Sequence, residues 1–451
     1  MIATLLVLGL PLFAAPLAYL LRRQEVLAAG IVIVTLAVHT FLLWNYPPAT
    51  FDVLGRTLAL GRTGRVFLIS ANVWVIGATL YTLRISQGWS IYPFWLVVQA
   101  LFTGVFLFQD FVLRMLVFKS AWLLAILLIQ SGTMERTRAA TRMLIVIMLA
   151  TPVLLAGGLL VGRISTDAAD LSLAPAAGTL LALGTALILA IFPFHAWVPQ
   201  ATEDGPPLVT AWVVGLFGTV FLMTLVELLA QNPWVLTFGG MSTLLRGAGF
   251  ILAISGGLFA FSETHLGRLW AYSILADQGY ILLALSLGGA SGLRIVLFLL
   301  GARLLALLLS GMAIATIRYR LTSLEFDALP GTAQRLPLTY LALLGGGLSF
   351  FGLPLSAGFA GHWMTLRAIF PDASIWFWGT LAATLLGVLG YVRALHVAVR
   401  LDHDGAAITD PEPLPVAILM LGVVALSSLI ALAPQTLLPL IQFVLEALRS
   451  A

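Results

Sequence analysis

The chain has 451 residues, 61% of them hydrophobic and 9% charged, with a mean hydropathy of +1.05 and a formal net charge of +4. Soluble domains carry about a quarter charged residues, so this composition excludes a water-soluble globular protein and points to lipid as the solvent. Cysteine is absent, which excludes disulfides, thiolate zinc sites and cysteine-held iron–sulfur clusters.

A bilayer core of about 30 Å takes about 20 apolar residues per helix. Polar and Pro/Gly breaks then divide the chain into fourteen spans near 2–21, 26–46, 65–84, 91–109, 111–131, 142–162, 175–196, 208–230, 243–262, 266–288, 293–318, 337–361, 374–398 and 413–434. The fold class expected is an all-α integral membrane protein forming one polytopic domain over 1–451. No basic n-region precedes the run Ile2 to Leu21, so it is expected to stay as the first helix. The tail 437–451 is too short to span and amphipathic enough to lie at the interface.

Loops after odd-numbered spans carry Arg22, Arg23, Arg136, Arg138, Arg318, Arg320, Arg335 and Arg400. By the positive-inside rule both termini are expected outside the cytoplasm, with Arg56, Arg62 and Arg65 arguing the other way. Arginine spread over short loops, without a basic stripe, does not suggest nucleic acid.

The seventh span is interrupted around Ile191-Phe-Pro193-Phe-His195 and the twelfth around Phe351-Gly-Leu-Pro354-Leu-Ser-Ala-Gly358. Proline removes a helical hydrogen bond, and within a bilayer the freed groups are tolerated where protein or a wet cavity satisfies them. Paired breaks five spans apart suggest inverted repeats around an ion path, here spans 4–8 (91–230) and 9–13 (243–398). Two packing kinks are the plainer alternative.

Lys119 is the one lysine of the chain and falls in the middle of the fifth span. A charge at that depth must be paired or hydrated, so it reads as functional and inward-facing, with a structural ion pair as the alternative. Asp277 in the tenth span, Arg303 in the eleventh and His362 after the second break join it as candidates. Asp277 is the natural anion for Lys119 or for Arg303, and the sequence leaves that choice open, as it does between a locking pair and a relay. Asp110, Arg114 and Glu227 are expected to reach the interface, and Asp402, His403, Asp404, Asp410 and Glu412 to form a solvated loop. The six histidines, His39, His195, His265, His362, His396 and His403, stand singly. None has the spacing of a haem or zinc site, so no metal or cofactor is expected in this chain.

Pro193-Phe-His-Ala-Trp-Val-Pro199, followed by Glu203-Asp-Gly-Pro206, resembles the signature of the antiporter-like membrane-arm subunits of respiratory complex I, relatives of the Mrp-type cation/proton antiporters. The departure there is Gln200, where the family prefers a carboxylate. Leu266-Gly-Arg-Leu-Trp-Ala-Tyr-Ser273 with Gln278-Gly-Tyr280, and Gly352-Leu-Pro354 with Gly358-Phe-Ala-Gly361, are similar to two further family segments. The resemblance covers nearly the whole chain and looks closest to the two shorter classes of such subunits.

The resemblance implies proton half-channels joined by a line of buried charges, with Lys119, Asp277, Arg303, His362, His195 and Arg142 as path candidates and Pro193, Pro354, Gly358 and Gly361 at the broken-helix positions. It also exposes departures. Lys119 stands where the family has a glutamate, Ile188 where it has a lysine, and Gly218 or Thr219 where it has another. Arg303 matches a family lysine, although Leu299 replaces the neighbouring histidine. His362 takes the place of a lysine or glutamate, Asp277 of a histidine, and Arg142 resembles a lysine at the head of the sixth span.

The expected function is therefore a non-redox subunit of a complex I-type, NADH:quinone oxidoreductase-like, proton-translocating complex whose first half-path is altered. A non-conducting spacer, or a subunit of an Mrp-type or related ion-pumping complex, is the alternative. The implied partners are other membrane subunits and lipids, with no nucleic acid. The implied location is a bacterial-type inner membrane or an equivalent energy-transducing membrane.

Overall fold

The computed structural model describes residues 2–47, 50–53, 55–88, 90–130, 137–166, 168–237, 240–321, 323–371, 374–400 and 412–449. In chain order the helices are α1 (Ile2–Leu20), α2 (Glu25–Trp44), α3 (Arg62–Thr82), α4 (Ile91–Leu107), α5 (Phe111–Gln130), α6 (Thr137–Thr166) and α7 (Ala174–Ile188). They continue with α8 (Trp197–Asp204), α9 (Pro207–Trp212), α10 (Gly218–Gln231), α11 (Trp234–Thr237), α12 (Met241–Ser262), α13 (Leu266–Ser286) and α14 (Gly289–Arg320). The last are α15 (Thr332–Arg335), α16 (Pro337–Ser349), α17 (Phe359–Ile369), α18 (Ser374–Val399), α19 (Leu414–Leu432) and α20 (Leu438–Arg449). A π-helical turn at Val213–Phe217 joins α9 and α10 into one span.

Eleven of these helical stretches are long and apolar enough to cross a bilayer, and α4 is a shorter apolar helix. With α13 and the interrupted α16–α17, the described residues are consistent with roughly fourteen crossings. Large apolar side chains face outward along the spans, among them Phe13, Trp44, Trp378 and Leu414. Such a surface suits lipid, which imposes no penalty on it.

The seventh and twelfth spans are the broken ones. α7 stops at Ile188 and the next α-helix, α8, starts at Trp197, while α16 stops at Ser349 and α17 starts at Phe359. Each gap holds one non-glycine residue in the left-handed region, Ala190 (φ 54°) and Leu355 (φ 71°). Side chains rarely tolerate that geometry, so both interruptions are enforced by their surroundings.

The chain forms two compact units. The first holds α1–α7, the stretch Leu216–Met241 and residues from Gln442 onward. Its interior is aromatic: Phe217 meets Phe102, Trp122 and Phe118 at ring-centroid distances of 4.8, 5.5 and 6.0 Å. Phe118 also faces Phe221 at 6.1 Å. Edge-on packing of this kind satisfies the ring quadrupoles and fills the space between helices. A short hairpin, β1 (Thr50–Val53) and β2 (Arg56–Ala59), pairs antiparallel and leans on the start of α5, where Gln109 Nε2 donates to Ala59 O at 2.7 Å.

The second unit holds Leu189–Gly215 and Ser242–Ile441. α12 and α13 cross through glycines: a Cβ on Gly249 would stand 2.8 Å from Gly279 O, and one on Gly279 would stand 2.5 Å from Ala253 N. Small residues let backbones approach where lipid supplies no hydrophobic drive between helices.

Some segments differ from the sequence expectation. Glu412 accepts from Thr339 N at 2.6 Å and so satisfies an orphan amide in the first turn of α16. Asp402, His403, Asp404 and Asp410 lie outside the described residues. The tail forms α20, whose Phe443 ring receives the Arg62 guanidinium at 5.2 Å.

Candidate functional site

α13 is buried on every face from Leu269 to Ser286 apart from Tyr272. A carboxylate at its centre therefore needs partners. Asp277 is 2% exposed and Arg303, from the middle of α14, is 3% exposed. Arg303 Nη1 donates to Asp277 Oδ2 at 2.8 Å. The third member is His362 on the first turn of α17, whose Nε2 lies 3.6 Å from Asp277 Oδ1. Its Nδ1 is 2.9 Å from the carbonyl oxygen of Gly358.

The second break brings His362 to this position. Gly352 has φ 63°, and a Cβ there would stand 2.4 Å from His362 Cβ. A Cβ on Gly358 would meet Ser349 O at 2.0 Å, and one on Gly361 would meet Leu299 Cδ2 at 2.6 Å. The glycines of the G-L-P and G-F-A-G segments are thus required by backbone shape and close approach. Pro354 is exposed in the bend and has no amide to satisfy. Side chains close the remaining gaps: Ser349 Oγ accepts from Gly358 N at 2.9 Å and Ser427 Oγ from Ala357 N at 3.1 Å.

Tyr280, one turn along α13 from Asp277, walls the imidazole at a ring-centroid distance of 4.4 Å. Its hydroxyl is tied to α18, at 2.6 Å from Thr384 Oγ1 and 3.2 Å from Thr380 O. Tyr280 closes the Gln278-Gly-Tyr280 segment, but nothing in the sequence pairs it with Thr384, 104 residues away.

The other candidates fall elsewhere. Lys119 is half-buried at the flank of α5 and makes no hydrogen bond or ion pair among the described residues. The buried basic residue of α5 is Arg114, which pairs with Glu227 of α10 and donates from Nε to Phe108 O. Arg114 and Glu227 therefore do not reach outward as expected: residues 114, 115, 118, 121 and 122 share the inward face of α5. Asp110 stays partly exposed beside Arg56, at 3.5 Å, and caps the helix, accepting from Leu113 N at 3.0 Å. Arg142 is exposed on α6. His195, beside Pro193 in the first break, lies between Phe192 and Phe259 at centroid distances of 5.3 and 6.4 Å and, among the described residues, has no hydrogen bond or ion pair with Asp277, Arg303 or His362.

At the head of α13 the motif residues form a second network. Arg268 donates from Nε and Nη2 to both oxygens of Glu203, at 2.8 and 2.9 Å. Arg318 Nη1 donates to the carbonyls of Glu203 and Gly205, where α8 ends. His265 is the N-cap: its Nδ1 accepts from Gly267 N and Arg268 N at 3.1 and 3.3 Å. Burial holds the His265 imidazole below its usual pKa of 6.5, with Glu203 and Glu325 pulling the other way. Burial also raises the Glu263 carboxyl above 4.5, opposed by Arg268. Among the described residues no group of three or more His, Asp or Glu is placed to hold a metal ion.

Residues 109–387, which include the whole cluster, match the family model described as NADH:quinone oxidoreductase/Mrp antiporter, TM. The chain is 29% identical over 265 residues to NADH-quinone oxidoreductase subunit N 2 of Solidesulfovibrio magneticus, covering 56% of each sequence. The chain spans about half the length of the curated relatives it matches. A chain of the Mrp complex from Dietzia sp. superposes with a TM-score of 0.85 at 19% identity, over 99% of this chain and 97% of that one. A chain of respiratory complex I from Thermus thermophilus superposes with a TM-score of 0.82 at 19% identity, over 99% and 98%. These two likenesses establish the fold. With the matched segment covering well over half of the sequence, this multi-pass membrane protein belongs to the NADH:quinone oxidoreductase/Mrp antiporter transmembrane family.

Proposed function

We propose that the chain is an antiporter-like membrane-arm subunit of a complex I-type proton-translocating assembly, and that its own ion path runs through the second unit by way of Asp277, Arg303 and His362. The observation that carries this reading is the cluster itself. Three ionisable side chains meet in the middle of two spans and beside a helix break, each at most 3% exposed. Ionisable groups at that depth are costly, and well-packed apolar residues hold helices together at least as well, so their retention points to ion handling.

The relatives support this parent class: one is named as an NADH-quinone oxidoreductase subunit, and others are chains of complex I and of an Mrp complex. Partners are then other membrane subunits of such an assembly, in an energy-transducing membrane. The first unit is read as scaffold with an altered path. Its interior is the Phe102–Phe118–Trp122–Phe217 cluster, and Ile188 and Thr219 stand where the resemblance expects lysines. Lys119 lies at the flank of that interior.

A non-conducting spacer is the second reading. The direct Arg303–Asp277 bond favours it, because a guanidinium keeps its proton and such a pair can simply lock α13 to α14. The test is to isolate the tagged chain with its native partners, then measure ion uptake by vesicles carrying Asp277→Asn. Lost uptake with intact assembly supports the path, and unchanged uptake leaves the spacer.

A further inference from the structure

His362 has its tautomer fixed by the helix break. Nδ1 lies 2.9 Å from Gly358 O, and a carbonyl has no proton to give, so Nδ1–H is the donor. A neutral imidazole then offers only a lone pair at Nε2. That lone pair faces Asp277 Oδ1 across 3.6 Å, while the other carboxylate oxygen is engaged by Arg303. Nε2 has no hydrogen-bond partner among the described residues, although the ring is 2% exposed. Two acceptors confronting each other at a buried site are unfavourable unless a proton stands between them.

We infer that the second unit seats one exchangeable proton between His362 Nε2 and Asp277 Oδ1, with Gly352 and Gly358 as the positioning residues that keep Nδ1 permanently engaged. This rests on the reading of the cluster as the ion path and specifies where the ion sits. On loading, the Nε2 lone pair takes the proton and the new N–H donates to Asp277 Oδ1. On release that N–H bond breaks and its electrons return to nitrogen. Arg303 keeps its proton throughout, so the cluster alternates between net neutral and one positive charge.

The groups around the ring fit this division. From α13 come Asp277 and Tyr280, and from α14 comes Arg303, which reaches the imidazole only through Asp277. The Tyr280 hydroxyl is committed to Thr380 O and Thr384 Oγ1 of α18, so it is a wall and not the donor. Gly352 admits the imidazole because it has no Cβ: one there would stand 2.4 Å from His362 Cβ and 3.1 Å from Nδ1, and would displace the ring from Gly358 O.

The full-length chain, labelled with ¹⁵N-histidine and ¹³C-carbonyl glycine in lipid bilayers, tests this by solid-state NMR between about pH 5 and about pH 8. The expected result is one imidazole whose Nδ1 stays protonated and close to a glycine carbonyl at both ends, while Nε2 gains a proton on acidification. His362→Gln removes that signal, and Gly352→Ala breaks the glycine contact and shifts the titration midpoint. Should His362→Gln fail to fold, the glycine contact assigns the ring on its own, since no other described histidine bonds a glycine carbonyl through Nδ1. An Nε2-protonated neutral ring, or an Nε2 unchanged across the range, overturns the inference. Vesicle uptake with Asp277→Asn fails or succeeds independently of that outcome, so the two readings fall separately.

Discussion

Glu203 and Arg268 face each other in a two-bond fork, at 2.8 and 2.9 Å, and join the end of α8 to the first turn of α13. They come from two motifs 65 residues apart. The acidic position after the P-F-H segment and the arginine of L-G-R-L-W-A-Y-S thus have a structural role: they bolt α8 to the helix that carries Asp277. Gly267 completes the joint, since a Cβ there would stand 2.7 Å from Thr202 O. Because the fork is partly exposed, Arg268→Ala is expected to cost about 1 kcal/mol. Arg268→Lys should recover only part of that, because an ammonium cannot form the fork. Apparent melting temperature in detergent, compared at low and high salt, checks both.

The same corner sets a pH dependence. The folded-state pKa of His265 lies below its unfolded value of 6.5, so folding excludes a proton there. Its contribution is present above pH 6.5 and is lost as pH falls below that value. Protonating Nδ1 would also remove the acceptor for Gly267 N and Arg268 N. Glu263 runs the other way: its raised pKa makes the folded state bind the extra proton, so stability falls as pH rises above 4.5 toward the folded value. His265→Asn, which keeps a capping acceptor without titrating, should flatten the acid limb of a stability–pH curve. Glu263→Gln should raise stability at neutral pH. Melting curves from pH 5 to pH 8, about the range where histidine changes charge, test both signs.

Removing one partner from either buried pair should be far worse than removing both. Asp277→Ala leaves Arg303 uncompensated, and Glu227→Ala does the same to Arg114, each at a cost of about 3–5 kcal/mol. Asp277→Leu combined with Arg303→Met should regain most of the stability while losing transport. Unfolding of the singles and the double separates a lock from a transport site: restored transport in the double would leave only the lock.

Glycine substitutions should divide sharply by location. Gly358→Ala sets a Cβ 2.0 Å from Ser349 O, where backbone must move, and Gly387→Ala sets one 2.1 Å from Phe351 Cε1. Both should impair assembly. Gly218→Ala meets nothing within 4 Å and should be neutral or slightly stabilising in its helix. Yield of monodisperse protein from parallel expressions ranks them.

The spans and both interruptions were legible because hydropathy and proline act locally: about twenty apolar residues make a crossing wherever they occur. Asp277, Arg303 and His362 were legible as costly groups, but their pairing was not. The sequence left Asp277 to choose between Lys119 and Arg303, and only the packing of α13 against α14 selects Arg303. Lys119 and Arg114 show the same limit. α5 is apolar almost all round, so its sequence carries no mark of the inward face. The inward basic residue proves to be Arg114, paired with a glutamate 113 residues away. Thr384 carries neither charge nor motif signal, and although Tyr280 belongs to the Gln278-Gly-Tyr280 segment, their meeting depends wholly on how α18 lies against α13.

The most direct test is the number of ions pumped per turnover by the assembled parent complex when this chain carries His362→Gln or, separately, Lys119→Ala. A path through the second unit requires His362→Gln to lower that number with assembly intact, and Lys119→Ala to leave it unchanged. Wild-type pumping in His362→Gln, or a loss confined to Lys119→Ala, would contradict it.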